Sequence, residues 1–200
     1  MLRNRAYPLS LANILTYVRC AAVPAVVACF FWGGSFAVND HAARWTALAI
    51  FIAAGITDYI DGWAARRFEQ TSSLGRMLDP IADKLLVSSC LLLLAADGTI
   101  AGWSLWAAVI ILCREILVSG LREFLGEVRV PVPVSRLAKW KTGLQLVAIG
   151  FLLAGPAGDL VFPYVTQTGL VLLWISALLT LYTGWDYFYA GIRTVAESKD

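Results

Sequence analysis

The chain is short of histidine, of charge and of paired cysteines, and each shortage removes a class of chemistry. His41 is the single histidine among 200 residues, and it sits in a short polar link between apolar runs. A solvated loop histidine without a partner argues against histidine-based acid–base or nucleophilic catalysis. Cys20, Cys29, Cys90 and Cys113 stand singly inside apolar segments with no C-x-x-C spacing. That excludes a zinc site and a disulfide framework, and leaves the four as small core residues. Charged residues make up only 15% of the chain, whereas a soluble domain carries about 25%. No nucleic-acid partner is expected.

What the chain has in quantity is apolar sequence. It is 59% hydrophobic, with a mean hydropathy of +0.70. Six apolar runs follow one another, at about Cys20–Asn39 (starting near Asn13), Arg44–Ala64, Leu74–Ala96, Ile100–Leu121, Ala138–Ala154 and Tyr164–Phe188. Several are too short to cross a bilayer unless their charged ends gather at an interface or inside the bundle. The expected fold is therefore an all-α integral membrane protein. It has six transmembrane helices in one domain over residues 1–200. A short interfacial helix over Met1–Leu11 precedes them, where Arg3 and Arg5 alternate with Leu2, Tyr7 and Leu9. No A-x-A cleavage site follows the first apolar run, so a signal peptide is not expected.

The charges set the orientation. Fifteen of the sixteen Lys and Arg residues lie in Met1–Arg19, Arg66–Lys84, Arg114–Lys141 or the tail from Arg193, and only Arg44 lies elsewhere. The alternate links carry Asp40, Asp97 and Asp159. Positive charge marks the cytoplasmic side, so both termini and the Arg66–Lys84 turn are expected in the cytoplasm of a multi-pass inner-membrane protein. Arg122–Arg136, with Gly126, Pro131 and Pro133, reads as a long cytoplasmic loop.

Around that turn lie the residues with chemistry in them. Asp58 and Asp61 are three apart, and Asp79 and Asp83 four apart, so each pair shares a helix face. Four carboxylates on consecutive helices repel one another near a membrane unless cations neutralise them. Oxygen-only donors favour Mg²⁺ or Mn²⁺ over zinc, and two such ions can clamp the attacking and leaving oxygens of a phosphoryl displacement. Arg66 adds a planar fork suited to phosphate, and Gly62 and Gly75 permit close approach. Taken singly, any of these aspartates could cap a helix or pair with Arg66, Arg67, Arg76 or Lys84.

The pattern Asp58-x2-Asp61-Gly62-x2-Ala65-Arg66-x8-Gly75-x3-Asp79-x3-Asp83 resembles the signature of the CDP-alcohol phosphotransferases at every fixed position. The resemblance implies a six-helix membrane enzyme, usually a homodimer, using two divalent ions near the cytoplasmic face. It implies Asp58, Asp61, Asp79 and Asp83 as ligands of those ions and Asp83 as the catalytic base. Asn13, Thr16, Gly62, Ala65, Arg66, Ser72 and Gly75 are implied to hold the CDP moiety. A second set of residues resembles the phosphatidylglycerophosphate synthases within that family. They are Asn13-x-Leu15-Thr16-x2-Arg19 with Pro24, Arg114-Glu115, Arg122-Glu123, Lys139-x-Lys141-Thr142-x2-Gln145, and more weakly Thr183-Gly184-Trp185-Asp186-Tyr187. This implies CDP-diacylglycerol and sn-glycerol 3-phosphate as substrates, with Arg19, Arg114, Arg122, Lys139 and Lys141 receiving the acceptor's phosphate. The acyl chains are expected to stay in lipid between spans two, three and six. Serine, inositol phosphate or phosphatidylglycerol remain alternative acceptors. A cation transporter remains the alternative of another class, although transport sites tend toward the midplane rather than one face.

Overall fold

The computed structural model describes residues 11–31, 41–68, 73–127 and 136–197; within its helices, the side chains of 11–15, 58–68, 73–77, 79–80, 136–139, 186, 190–191 and 193–197 lie outside the description. It contains six helices: α1 (Leu11–Phe31), α2 (His41–Phe68), α3 (Ser73–Ala96), α4 (Ser104–Glu127), α5 (Arg136–Asp159) and α6 (Val165–Glu197). No strand occurs among the described residues. Of the helices, α4 and the Val165–Tyr189 part of α6 are long and apolar enough to cross a membrane by themselves. The interfacial helix expected over Met1–Leu11 lies outside the described residues except for Leu11, which opens α1.

α1 packs against both α2 and α3, α5 lies between α2 and α6, and α4 packs along α6 and touches α3. Phe30, Phe51, Leu94, Ile111, Ile149, Leu152 and Leu173 form the shared core. The exterior is apolar as well: Leu92, Ile116, Val171 and Leu178 are each well over half exposed, while Arg19, Arg44 and Lys141 are buried. Soluble monomers seldom present such apolar patches.

Three expectations are corrected. The loop expected over Arg122–Arg136 begins later, because α4 runs on to Glu127. Ile111, Val118 and Leu125 recur every seven residues and are all buried; that stripe outweighs the roughly 1 kcal/mol cost of Gly126 in a helix. Residues 128–135, with Pro131 and Pro133, lie outside the described residues. The cysteines are not a core set, since only Cys90 is buried and Cys113 is exposed. In a protein whose outer surface is apolar, an apolar segment does not by itself mean a buried one. His41 is not in a link but is the exposed first residue of α2.

At the end of the bundle away from the aspartates, a polar staple joins α1, α2, α5 and the α3–α4 link. Gly155 breaks α5 at φ 42°, ψ −129°, just where the fifth apolar run was expected to end, and Pro156 follows it. Proline has no N–H, so the carbonyl of Leu152, four residues earlier, loses its helical donor. Arg44 supplies one instead: its Nη1 donates to Leu152 O at 3.3 Å and Leu153 O at 3.4 Å. Its Nη2 pairs with Asp97 and donates to Thr99 Oγ1 at 2.8 Å, and its guanidinium lies 5.8 Å from the Phe30 ring. A Cβ on Gly155 would stand 2.6 Å from Arg44 Nη1, so glycine is required there for space as well as for its positive φ. In the turn beyond, Asp159 accepts from Thr166 N at 3.0 Å and Thr166 Oγ1 at 2.5 Å. The Thr166 hydroxyl holds the Asp159 carboxyl below the ordinary carboxylate range.

Candidate active site

The aspartates fall on the two helices expected of them: Asp58 and Asp61 on α2, Asp79 and Asp83 on α3. The side chains of Asp58, Asp61 and Asp79 lie outside the described residues, as do those of Asn13, Ala65, Arg66 and Lys139. Gly62 lies on α2 and Gly75 on α3, while Ser72 falls outside the description altogether. Asp83 is described. Its side chain is 51% exposed, and its Oδ1 accepts from Nη1 of Arg19 at 3.0 Å, a guanidinium only 1% exposed. The pair joins α1 to α3 across 64 residues of sequence. Thr16, one turn before Arg19 on α1, is fully buried.

Arg19 was grouped with the acceptor-phosphate residues; the structure sets it beside the aspartate motif. Three of its expected companions do converge. Lys141 of α5 pairs with Glu115 Oε1, and Arg114 of α4 donates from Nη1 to the same oxygen at 3.3 Å. The Nη2 of Arg114 donates to Thr183 Oγ1 on α6 at 3.2 Å, and that hydroxyl donates back to Leu179 O at 2.9 Å. Arg122 stands two turns beyond Glu115 on α4, its Nη2 donating to the Tyr187 hydroxyl at 3.2 Å and its guanidinium lying 5.3 Å from that ring. Gly184 fits closely here: a Cβ on it would approach Arg114 Nε to 3.2 Å.

The two groups occupy the same level of the bundle. Lys84, next to Asp83, bonds Ser119 Oγ, and Ser119 is one helical turn from Glu115 on α4. Glu115, Thr183 and Tyr187 were visible only as parts of matching motifs, without roles; their partners lie on other helices, which a linear pattern does not report.

The donor set suits a hard divalent cation. The described carboxylate, Asp83, is reachable from solvent, and every candidate ligand is an aspartate oxygen. No group of three or more potential ligands occurs among the described residues, three of the four aspartate side chains lying outside them.

An apolar groove of about 600 Å³ runs between α2 and α5, lined by Trp45, Leu48, Phe51, Ile52, Leu146 and Phe151 among others. It reaches Gly55 and Ile56, within a turn of Asp58.

The family profile described as CDP-alcohol phosphatidyltransferase matches residues 9–182. A CDP-diacylglycerol–glycerol-3-phosphate 3-phosphatidyltransferase of Rickettsia bellii is 43% identical over 181 residues, covering 90% of this chain and 94% of its own. One of the same name from Cereibacter sphaeroides is 37% identical, covering 95% and 99%. A third, numbered 2, from Arabidopsis thaliana is 37% identical, covering 88% and 76%.

Proposed function

The chain belongs to the CDP-alcohol phosphatidyltransferase family, and from that premise we propose that it transfers a phosphatidyl group from CDP-diacylglycerol to sn-glycerol 3-phosphate, giving phosphatidylglycerophosphate and CMP. The observation that carries this reading is the Lys141–Glu115–Arg114 cluster at the level of Asp83. A phosphorylated acceptor is a dianion near neutral pH, and a group of buried and half-buried cations beside the carboxylate base is what it needs. Serine needs no such cluster.

Asp58, Asp61, Asp79 and Asp83 would hold two Mg²⁺ or Mn²⁺ ions, which neutralise charge on the phosphoryl oxygens when bound. Arg114, Lys141 and Arg122 draw the acceptor's phosphate down, which leaves its hydroxyl free to face Asp83. Asp83, oriented through Oδ1 by Arg19, takes the hydroxyl proton. The hydroxyl oxygen bonds to the phosphorus carrying the diacylglycerol, and the bond from that phosphorus to CMP breaks. Carboxylate bases contribute about 10² to 10⁴-fold, and positioning contributes much of the rest. Gly62, Ala65, Arg66, Ser72 and Gly75 hold the CDP moiety, with Asn13 and Thr16 from α1.

All six helices span the inner membrane in this reading, with both termini and the site cytoplasmic, and two copies form a homodimer. The apolar exterior and the exposed Trp103 and Trp140 near helix ends support it. The α2–α5 groove receives an acyl chain, in place of the surface between spans two, three and six.

A product assay tests the activity. Purified protein with CDP-diacylglycerol, glycerol 3-phosphate and magnesium is expected to release CMP and phosphatidylglycerophosphate one for one. Chelation should stop the reaction, and serine, inositol phosphate or phosphatidylglycerol should substitute poorly. Product formed only with one of those three acceptors overturns the acceptor assignment.

A further inference from the structure

Glu115 has no role in the reaction as written, yet it touches both of the innermost cations of the acceptor cluster. Lys141 and Arg114, from different helices, donate to one and the same oxygen, Oε1, which is how a phosphate oxygen would bridge them. The cations also have anchors of their own. Arg114 is held by Thr183 and Arg122 by Tyr187, so these two keep their places if Glu115 moves. Donor capacity is left over as well: the Nε of Arg114 is buried without a hydrogen-bond partner among the described residues. Buried polar atoms left unpaired cost stability unless a ligand or water completes them. Two buried cations, Arg114 and Lys141, share one carboxylate, and a third, Arg122, stands two turns along α4 at Tyr187.

We propose that Glu115 is a resident stand-in for the acceptor's phosphate, occupying Lys141 and Arg114 while the site is empty and yielding them when a phosphate arrives. The inference rests on the proposed reaction and adds a residue that sets how readily the site takes an anion. A buried lysine and arginine without any counter-charge would be costly to fold; a carboxylate fixed in place beside an incoming phosphate would repel it. A half-buried Glu115 that can swing away answers both demands.

The test uses the full chain in phospholipid-free detergent, with inorganic phosphate as the probe and no CDP-diacylglycerol. Glu115→Gln is expected to melt at a lower temperature than wild type and yet bind phosphate about tenfold more tightly. The KM for glycerol 3-phosphate should fall in parallel. Glu115→Asp keeps the charge but not the reach, and is expected to shift both properties the same way by less. It carries the test if the glutamine variant does not fold. Phosphate binding that is unchanged or weaker in the folded variants overturns the proposal and leaves Glu115 a purely structural counter-ion. If the tighter binding disappears in phosphatidylglycerol nanodiscs, the site is filled by lipid phosphate rather than free acceptor, which also overturns it. Phosphate binding is read without turnover, so absence of transferase activity would sink the proposed reaction separately.

Discussion

Replacing Asp83 by Asn is expected to lower CMP release about 10³-fold, within the range a positioned base contributes, and to lower stability at the same time. The second effect follows from Arg19. Its guanidinium is buried and donates to Asp83 Oδ1. Asparagine can still accept that bond but leaves a buried cation without this counter-charge, at a cost of about 1–3 kcal/mol. The two losses have different cures. Adding Arg19→Gln to Asp83→Asn should restore part of the melting temperature, since the buried charge is gone, and none of the turnover. Wild-type turnover in the folded single variant would refute the base assignment. Recovery of activity in the double variant would mean the single variant was merely unfolding.

The largest expected effect on stability lies at the opposite end of the bundle. Arg44→Gln or Asp97→Ala should cost about 3–5 kcal/mol, the usual result of removing one member of a buried ion pair. In a chain of this size that lowers the melting temperature by roughly 10 °C. Arg44 does more than pair with Asp97, because it also satisfies the Leu152 carbonyl that Pro156 leaves without a donor. The double variant Arg44→Gln with Asp97→Ala should therefore be less destabilised than the sum of the two single changes, yet not reach wild type. Thermal melting of the four proteins in one detergent measures this. Equal melting temperatures throughout would show that the staple contributes nothing.

The sequence and the structure agree best where the signal is local. Helix count follows from apolar runs and their polar links, and the break in α5 comes just where its apolar run ends and Gly155 and Pro156 follow. The placement of Asp58, Asp61, Asp79 and Asp83 on two consecutive helices follows from spacing alone. What was not legible depends on partners distant in sequence. Arg19 reads equally well as a phosphate ligand or a topology marker until α1 packs on α3 and brings it to Asp83. Arg44 reads as the one cation on the wrong side of the membrane; its burial is explained by Asp97, 53 residues later, and by the Leu152 carbonyl that Pro156 leaves without a donor. Gly126 looks like a helix end because a single glycine carries no information about Leu125 being buried beside it.

The central claim is that four aspartates from α2 and α3 grip a pair of divalent ions. Titrating the protein with Mn²⁺ and following it by electron paramagnetic resonance tests that claim most directly. The account predicts two ions per chain with the spin coupling of a pair about 4 Å apart. In Asp58→Asn and Asp79→Asn, that coupling should be lost. A single uncoupled ion, or binding indifferent to both substitutions, would contradict it.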